Sequence, residues 1–178
     1  MLKKIIPSSV ELIFPEYFLS IERTLFECDF YDTHYRYFDQ VDDAYLNALN
    51  MSPENLILKW GFEWPEFYTK VGLEALKTRS RPYEGIRTWK DVNYEYLYYF
   101  GQSCSFLGSD GFKFFLPAAL FHYLARPDRN NSFMDSFVFR LDSQWGQDVH
   151  FFNDSQKKFI IEFVKEHYDG YVLWASLY

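Results

Sequence analysis

Apolar positions recur three and four apart in successive segments of this chain, separated by short turns, so it reads as a series of helices. A proline suited to a first helical turn, Pro15, predicts a helix to about Glu27, with Leu19 and Phe26 apolar and Glu22-Arg23 polar. From about Thr33 to Leu49, Tyr35, Phe38, Tyr45 and Leu49 share one face, and Asp32, Arg36, Asp39, Asp43 and Asn47 the opposite one. Asp42 falls within the apolar stripe, either at its edge or paired with a base from elsewhere. Ser52-Pro53-Glu54 opens a short helix through Trp60, and another starts at Pro65 and reaches Lys77. Residues 78–87, TRSRPYEGIR, form a basic loop broken by Pro82 and Gly85.

The second half is more strongly punctuated. Thr88 and Asp91 have capping-box spacing and open a helix through about Gly101. Alternation of Val92, Tyr94, Tyr96 and Tyr98 would also suit a strand, but the cap and the spacing of Trp89, Val92, Tyr96 and Tyr99 favour the helix. Between Ser109 and Ala125, Phe112, Leu116, Ala119, Leu120 and Tyr123 share one face. Pro117 either kinks a single helix there or sits in the first turn of one beginning near Leu116. Arg126-Pro127-Asp128 ends that helix, and helices follow over 132–140 and 153–168. The last carries Phe159, Ile160, Phe163, Val164 and His167 on one stripe and stops before Gly170. Tyr171 to Tyr178 is apolar enough to dock as a short helix or strand. Gly101, Gly108 and Gly111 read as turn residues.

A chain of 178 residues is most simply one domain, 1–178, able to fold without disulfide or metal. Aromatic residues make up 22% of it, which argues for a large core and against disorder. Cys28 and Cys104 have no motif spacing and are expected as reduced, partly buried thiols. Lys3-Lys4 precede only Ile5-Ile6 before Pro7, too short for the apolar core of a secretory signal, and no run suits a membrane span. The expected location is the cytoplasm, with no membrane partner.

Charge changes the picture most. Glu27 to Glu54 holds seven acids and one base, so this stretch carries −6 of the chain's net −7. Its acids are interleaved with Phe30, Tyr31, Tyr35, Tyr37, Phe38 and Tyr45. Such a surface repels phosphate and favours a basic protein, so nucleic acid is not an expected partner.

The Phe114-Phe115-Leu116-Pro117-Ala118 core, the upstream Trp89, the Asp135-Ser136 pair and the helix containing Gln156 stand together in a characteristic order. As a set they resemble an uncharacterised bacterial family of unknown function, over about half of the chain from Thr88 to Glu166. The resemblance implies a small bacterial cytoplasmic protein. Some relatives look like proteins of toxin–immunity or secretion-system loci. It implies no activity, cofactor or catalytic residue. Read physically, Ser132 with Asp135 and Asn153 with Gln156 have capping-box spacing, so Asp135 and Gln156 are expected as helix caps.

Candidate chemistry is sparse. His34, His122, His150 and His167 show no metal-ligand spacing, and no nucleophile elbow, phosphate-binding loop or dinucleotide motif occurs. His167, on an apolar stripe, is expected as a core or edge histidine. Cys104 has no local base to activate it. Asp29, Asp32 and His34 are read as a solvated turn rather than a cation site. The basic residues Lys77, Arg79, Arg81, Arg87 and Lys90 face the chain's own acids or water. No catalytic residue, metal or cofactor is expected.

The sequence therefore describes a mainly α, compact multi-helix single domain, with room for a small β element or an α+β alternative. Its leading functional expectation is a non-enzymatic protein-binding module, an immunity-type inhibitor of a basic toxin, with Asp32, Tyr35, Asp39, Asp42 and Asp43 at the contact. The alternatives are a small hydrolase-like enzyme, needing a pocket that joins residues such as His122, Asp110 or Asp135, and a structural or adaptor subunit of a homo-oligomer.

Overall fold

A computed structural model describes residues 5–18, 24, 25, 28, 86–141 and 151–168. These form a mainly α, compact fold of five α-helices with no strand among the described residues. The helices are α1 (Pro7–Ile13), α2 (Tyr94–Phe100), α3 (Ser109–Ala125), α4 (Phe133–Leu141) and α5 (Asp154–His167), with 3-10 helices at Trp89–Asp91 and Gly101–Phe106. An isolated antiparallel bridge joins Phe18 to Thr88.

The first helix is not where Pro15 suggested. It begins at Pro7, which occupies the first turn, and ends at Phe14 in extended geometry (φ −102°, ψ 121°). The residue before a proline is pushed out of the helical region by the pyrrolidine ring, so Pro15 stops a helix here instead of starting one. Residues 15–17 are irregular, while Leu25 and Cys28 are helical. The expected helices 33–49, 52–60 and 65–77, most of the 78–87 loop, and the segment 171–178 lie outside the described residues.

The Thr88/Asp91 box forms, but it opens only one 3-10 turn. Asp91 Oδ2 accepts from the Thr88 backbone N–H at 2.8 Å, the Thr88 hydroxyl at 3.2 Å and the Arg87 N–H at 3.0 Å. Those bonds to the ionised form hold the Asp91 carboxyl below its usual range, the Thr88 backbone bond contributing most. Val92 then extends the chain, and Asn93 caps α2 afresh, its side chain accepting from Tyr96 N–H at 2.8 Å. Residues 94–100 are helix, not strand, but the single helix expected from Thr88 through Gly101 is broken at Val92, and α2 begins from its own cap.

The central element is α3. Pro117 lies inside one continuous helix of 17 residues. Nearly every position from Gly111 to Leu120 is buried, so the one-face stripe expected for this block is exceeded: a helix apolar all round is a core helix. α1 and α4 pack on α3, α5 touches α1, and α4 lies along the 3-10 helix 101–106. Aromatic pairs fill the joints. Phe112 stacks on Phe137 at 5.6 Å, Tyr96 on Phe115 at 6.1 Å, and Phe14 meets Phe152 and Phe159 edge-on.

Gly101 is not a turn residue. It opens the 3-10 helix, and a Cβ there would stand 2.6 Å from the Phe133 Cβ, so glycine permits the close approach of α4. Gly111 lies within α3, and Gly108 is its N-cap. Arg140 completes this joint from α4. Its Nη1 donates to the Cys104 carbonyl and, at 2.8 Å, to the Leu107 carbonyl, while the guanidinium lies 4.6 Å from the Phe112 ring centroid. The Cys104 carbonyl, which already accepts from the Leu107 N–H, and the Leu107 carbonyl thus each take a charge-assisted bond at the end of this 3-10 helix. Cys28 and Cys104, expected to be partly buried, are fully buried and are not joined in a disulfide. No helix among the described residues is long and apolar enough to cross a membrane.

Candidate functional site

A group of half-buried polar side chains lies against aromatic rings where α2 begins and α3 ends. His122 and Arg126 are one turn apart in α3's last turn and C-cap, a spacing that places them on one helix face. His122 Nε2 lies 2.7 Å from the Val92 carbonyl. A carbonyl can only accept, so the neutral imidazole carries its proton on Nε2 and presents a bare lone pair at Nδ1. Burial holds the His122 pKa below its ordinary value. The Val92 carbonyl and Glu95 oppose that shift, and the Arg126 charge adds to it.

Tyr94 is the floor of this corner. Its hydroxyl donates to the Asn130 carbonyl at 2.5 Å, and its ring meets His122 edge-on at 6.3 Å. The guanidinium carbons of Arg126 and Arg129 lie 5.0 and 5.2 Å from its ring centroid, within cation–π range. Arg129 also reaches Glu95 at 3.7 Å, but both side chains are more than half exposed, so this pair contributes little. Asn131 Nδ2 donates to the Arg126 carbonyl at 2.9 Å and closes the helix end. Four buried side-chain polar atoms have no hydrogen-bond partner among the described residues, and three belong to this corner: His122 Nδ1, Arg126 Nη1 and Asn131 Oδ1.

The fourth, His167 Nε2, belongs to a second group at the end of α5. The His167 ring packs on Tyr123 at 5.3 Å and Phe163 at 4.9 Å, as expected of a core or edge histidine. Tyr168 joins them, its hydroxyl bonded to Asp135 and Tyr123. Burial first, then the two neighbours, push the Tyr168 phenol far above its ordinary range, and burial raises Tyr123 as well.

The two expected caps have different fates. Asn153 and Gln156 form a complete box, with Asn153 Oδ1 accepting from Gln156 N at 3.0 Å and Gln156 Oε1 from Asn153 N at 3.1 Å. Ser132 and Asp135 are joined through backbone, Asp135 N to the Ser132 carbonyl at 3.2 Å, while the Asp135 carboxyl serves Tyr168. The reason is that Tyr168 comes within reach of α4, which no local pattern could reveal.

Asp110 and His122, two of the residues a hydrolase reading would join, are kept apart. Asp110 lies in α3's first turn and His122 in its last, about 18 Å along the axis at the helical rise per residue. The charges acting on His122 are Arg126 and Glu95, not Asp135. No cluster of three or more His, Cys, Asp or Glu able to hold a metal exists among the described residues. The expected contact residues Asp32, Tyr35, Asp39, Asp42 and Asp43 lie outside the described residues, as do His34, His150 and the acids around them. Tyr94, Arg126 and Arg129 were not singled out by the sequence. The signal was the four-residue step from His122 to Arg126, masked because Arg126-Pro127 reads first as a helix stop. No protein-family model, curated protein or solved structure matches the chain.

Proposed function

We propose that this protein is a non-enzymatic binding module of the immunity type, which occludes a basic bacterial toxin in the cytoplasm by stoichiometric contact. The observation that carries the reading is the concentration of −6 of the net −7 charge between Glu27 and Glu54, interleaved with tyrosine and phenylalanine. Acids on such a surface steer encounter with a basic partner, and the rings supply anchors that pack while their polar tips stay wet. Asp32, Tyr35, Asp39, Asp42 and Asp43 are the proposed contacts. The resemblance of the Thr88–Glu166 block to a family with members near toxin–immunity loci points the same way.

The uses of that block's marker residues are also in keeping with a scaffold. Trp89 Nε1 donates to the Pro15 carbonyl, and Gln156 donates to the Ile13 carbonyl, so both hold backbone. Arg140 likewise holds the Cys104 and Leu107 carbonyls.

The test is a pull-down from native lysate at low and moderate salt, with the wild type and an Asp39→Lys/Asp43→Lys double variant. A single basic partner, held 1:1, weakened by salt and lost in the double variant, supports the reading. A partner held equally by both proteins and at both salts refutes the proposed surface. A stable homo-oligomer with no partner would replace the reading with that of a structural subunit.

A further inference from the structure

We propose that His122 is an acid-sensitive latch: its neutral imidazole ties the start of α2 to the end of α3, and its protonation loosens that corner. The tie is the Nε2–H bond to the Val92 carbonyl at 2.7 Å, which spans 30 residues of sequence and sits one residue before the Asn93 cap of α2. The ring is enclosed by Phe121 at 5.4 Å and Tyr94 at 6.3 Å, both edge-on.

Protonation would leave the Val92 bond in place and add an N–H at Nδ1, a buried atom with no acceptor among the described residues. A buried donor without a partner is unfavourable, and a buried unpaired charge more so. The charged groups around the ring make this worse. Arg126 approaches from α3 itself and repels a second cation, and Arg129 lies against the same Tyr94 ring. Glu95, from α2, is the acid that favours the imidazolium, but it is more than half exposed and already shared with Arg129 at 3.7 Å. The folded corner therefore resists a proton that the unfolded chain accepts near pH 6.5. With the folded-state pKa depressed, the His122 contribution to stability is complete above that value and declines as pH falls toward the folded-state pKa. The same corner carries the Tyr94–Asn130 and Asn131–Arg126 bonds that strap the 126–131 loop, so loosening reaches that loop.

The experiment follows the His122 ring protons by NMR in the full chain from pH 8 to pH 4.5. It also measures thermal midpoints and amide exchange of residues 94–97 and 123–126 at both ends of that range. Wild type and His122→Gln are compared, since a glutamine amide can donate to the Val92 carbonyl without titrating. The expected result is a His122 titration midpoint below that of an unfolded histidine peptide, moved lower still by Glu95→Gln. Protection at 94–97 and 123–126 falls with pH in the wild type and stays level in His122→Gln. A midpoint at or above the unfolded reference overturns the latch, as does an unchanged loss of protection in His122→Gln. Should that variant fail to fold, the wild-type titration and its Glu95→Gln displacement decide.

Discussion

Trp89 and Gln156 hold one short stretch of chain: the indole Nε1 donates to the Pro15 carbonyl at 2.8 Å, and the Gln156 amide donates to the Ile13 carbonyl at 3.3 Å. They reach back across 74 and 143 residues. Gln156 uses the same amide on the Tyr17 hydroxyl at 2.9 Å while its oxygen caps α5. The chain between α1 and the Phe18–Thr88 bridge has no helical hydrogen bonds of its own, so these donors satisfy carbonyls that would otherwise be left open.

The first prediction concerns this clamp. Gln156→Ala removes the bond from the Asn153 N–H to the Gln156 side chain, the Ile13 bond and the Tyr17 bond together, leaves the Asn153 cap bond to the backbone of 156, and is expected to destabilise the fold by about 2–3 kcal/mol. Trp89→Phe keeps most of the ring and removes one donor, for about 1 kcal/mol. Because both hold residues 13–15, their effects should be non-additive in a double-mutant cycle read by urea denaturation. Strict additivity would mean that the clamp is two independent contacts.

Gly101→Ala should destabilise by about 1–3 kcal/mol, because its new Cβ would meet the Phe133 Cβ at 2.6 Å. Gly108→Ala is the control, since a Cβ there meets nothing within 4 Å. Equal thermal midpoints for the two variants would show that α4 does not sit against the 3-10 helix as described.

Replacing Arg140 by Met removes both the donor to the Cys104 and Leu107 carbonyls and the guanidinium that lies against the Phe112 ring. Charge-assisted bonds of this kind contribute about 1.5–3 kcal/mol each, so a loss of at least about 2 kcal/mol is expected in denaturant unfolding. Arg140→Lys should recover only part of it, because an ammonium is more strongly hydrated than a guanidinium and costs more to hold in this part-buried joint.

Alkaline pH should act through Tyr168. Its phenol is raised by burial, Tyr123 and Asp135, so the folded chain keeps a proton that the unfolded chain loses above about pH 10. The Tyr168 contribution to stability is complete below that pH and declines as pH rises beyond it. Tyr168→Phe should flatten the part of the alkaline slope owed to this residue, as measured by melting between pH 8 and pH 11. An identical slope in the variant would remove Tyr168 as its source.

The parts of this fold that were legible in the sequence are those governed by neighbours a few residues away. The Asn153/Gln156 box, the stop at Arg126-Pro127 and the helical nature of 94–100 follow from local hydrogen bonding and backbone sterics. Pro15 misled because a proline can begin a helix or end the one before it, and only the burial of Val10 and Phe14 settles which. Asp135 misled for a related reason: its spacing from Ser132 suits a cap, but a tyrosine from the end of α5 bonds its carboxyl.

By itself the sequence determined a mainly α chain, the Asn153/Gln156 box, the helix stop at Arg126-Pro127, and a charge distribution gathered into one segment. These depend on backbone geometry and on composition, which a linear reading contains. Only the tertiary structure decided that Gly101 makes room for Phe133, that Trp89 and Gln156 grip residues 13–15, and that His122 meets Val92 beside two guanidinium groups. Each of these joins atoms at least 30 residues apart in sequence, and packing of helices around α3 sets their distance and burial. A side chain's type fixes what it can donate or accept, and the partner it finds is fixed by which surfaces the core brings together.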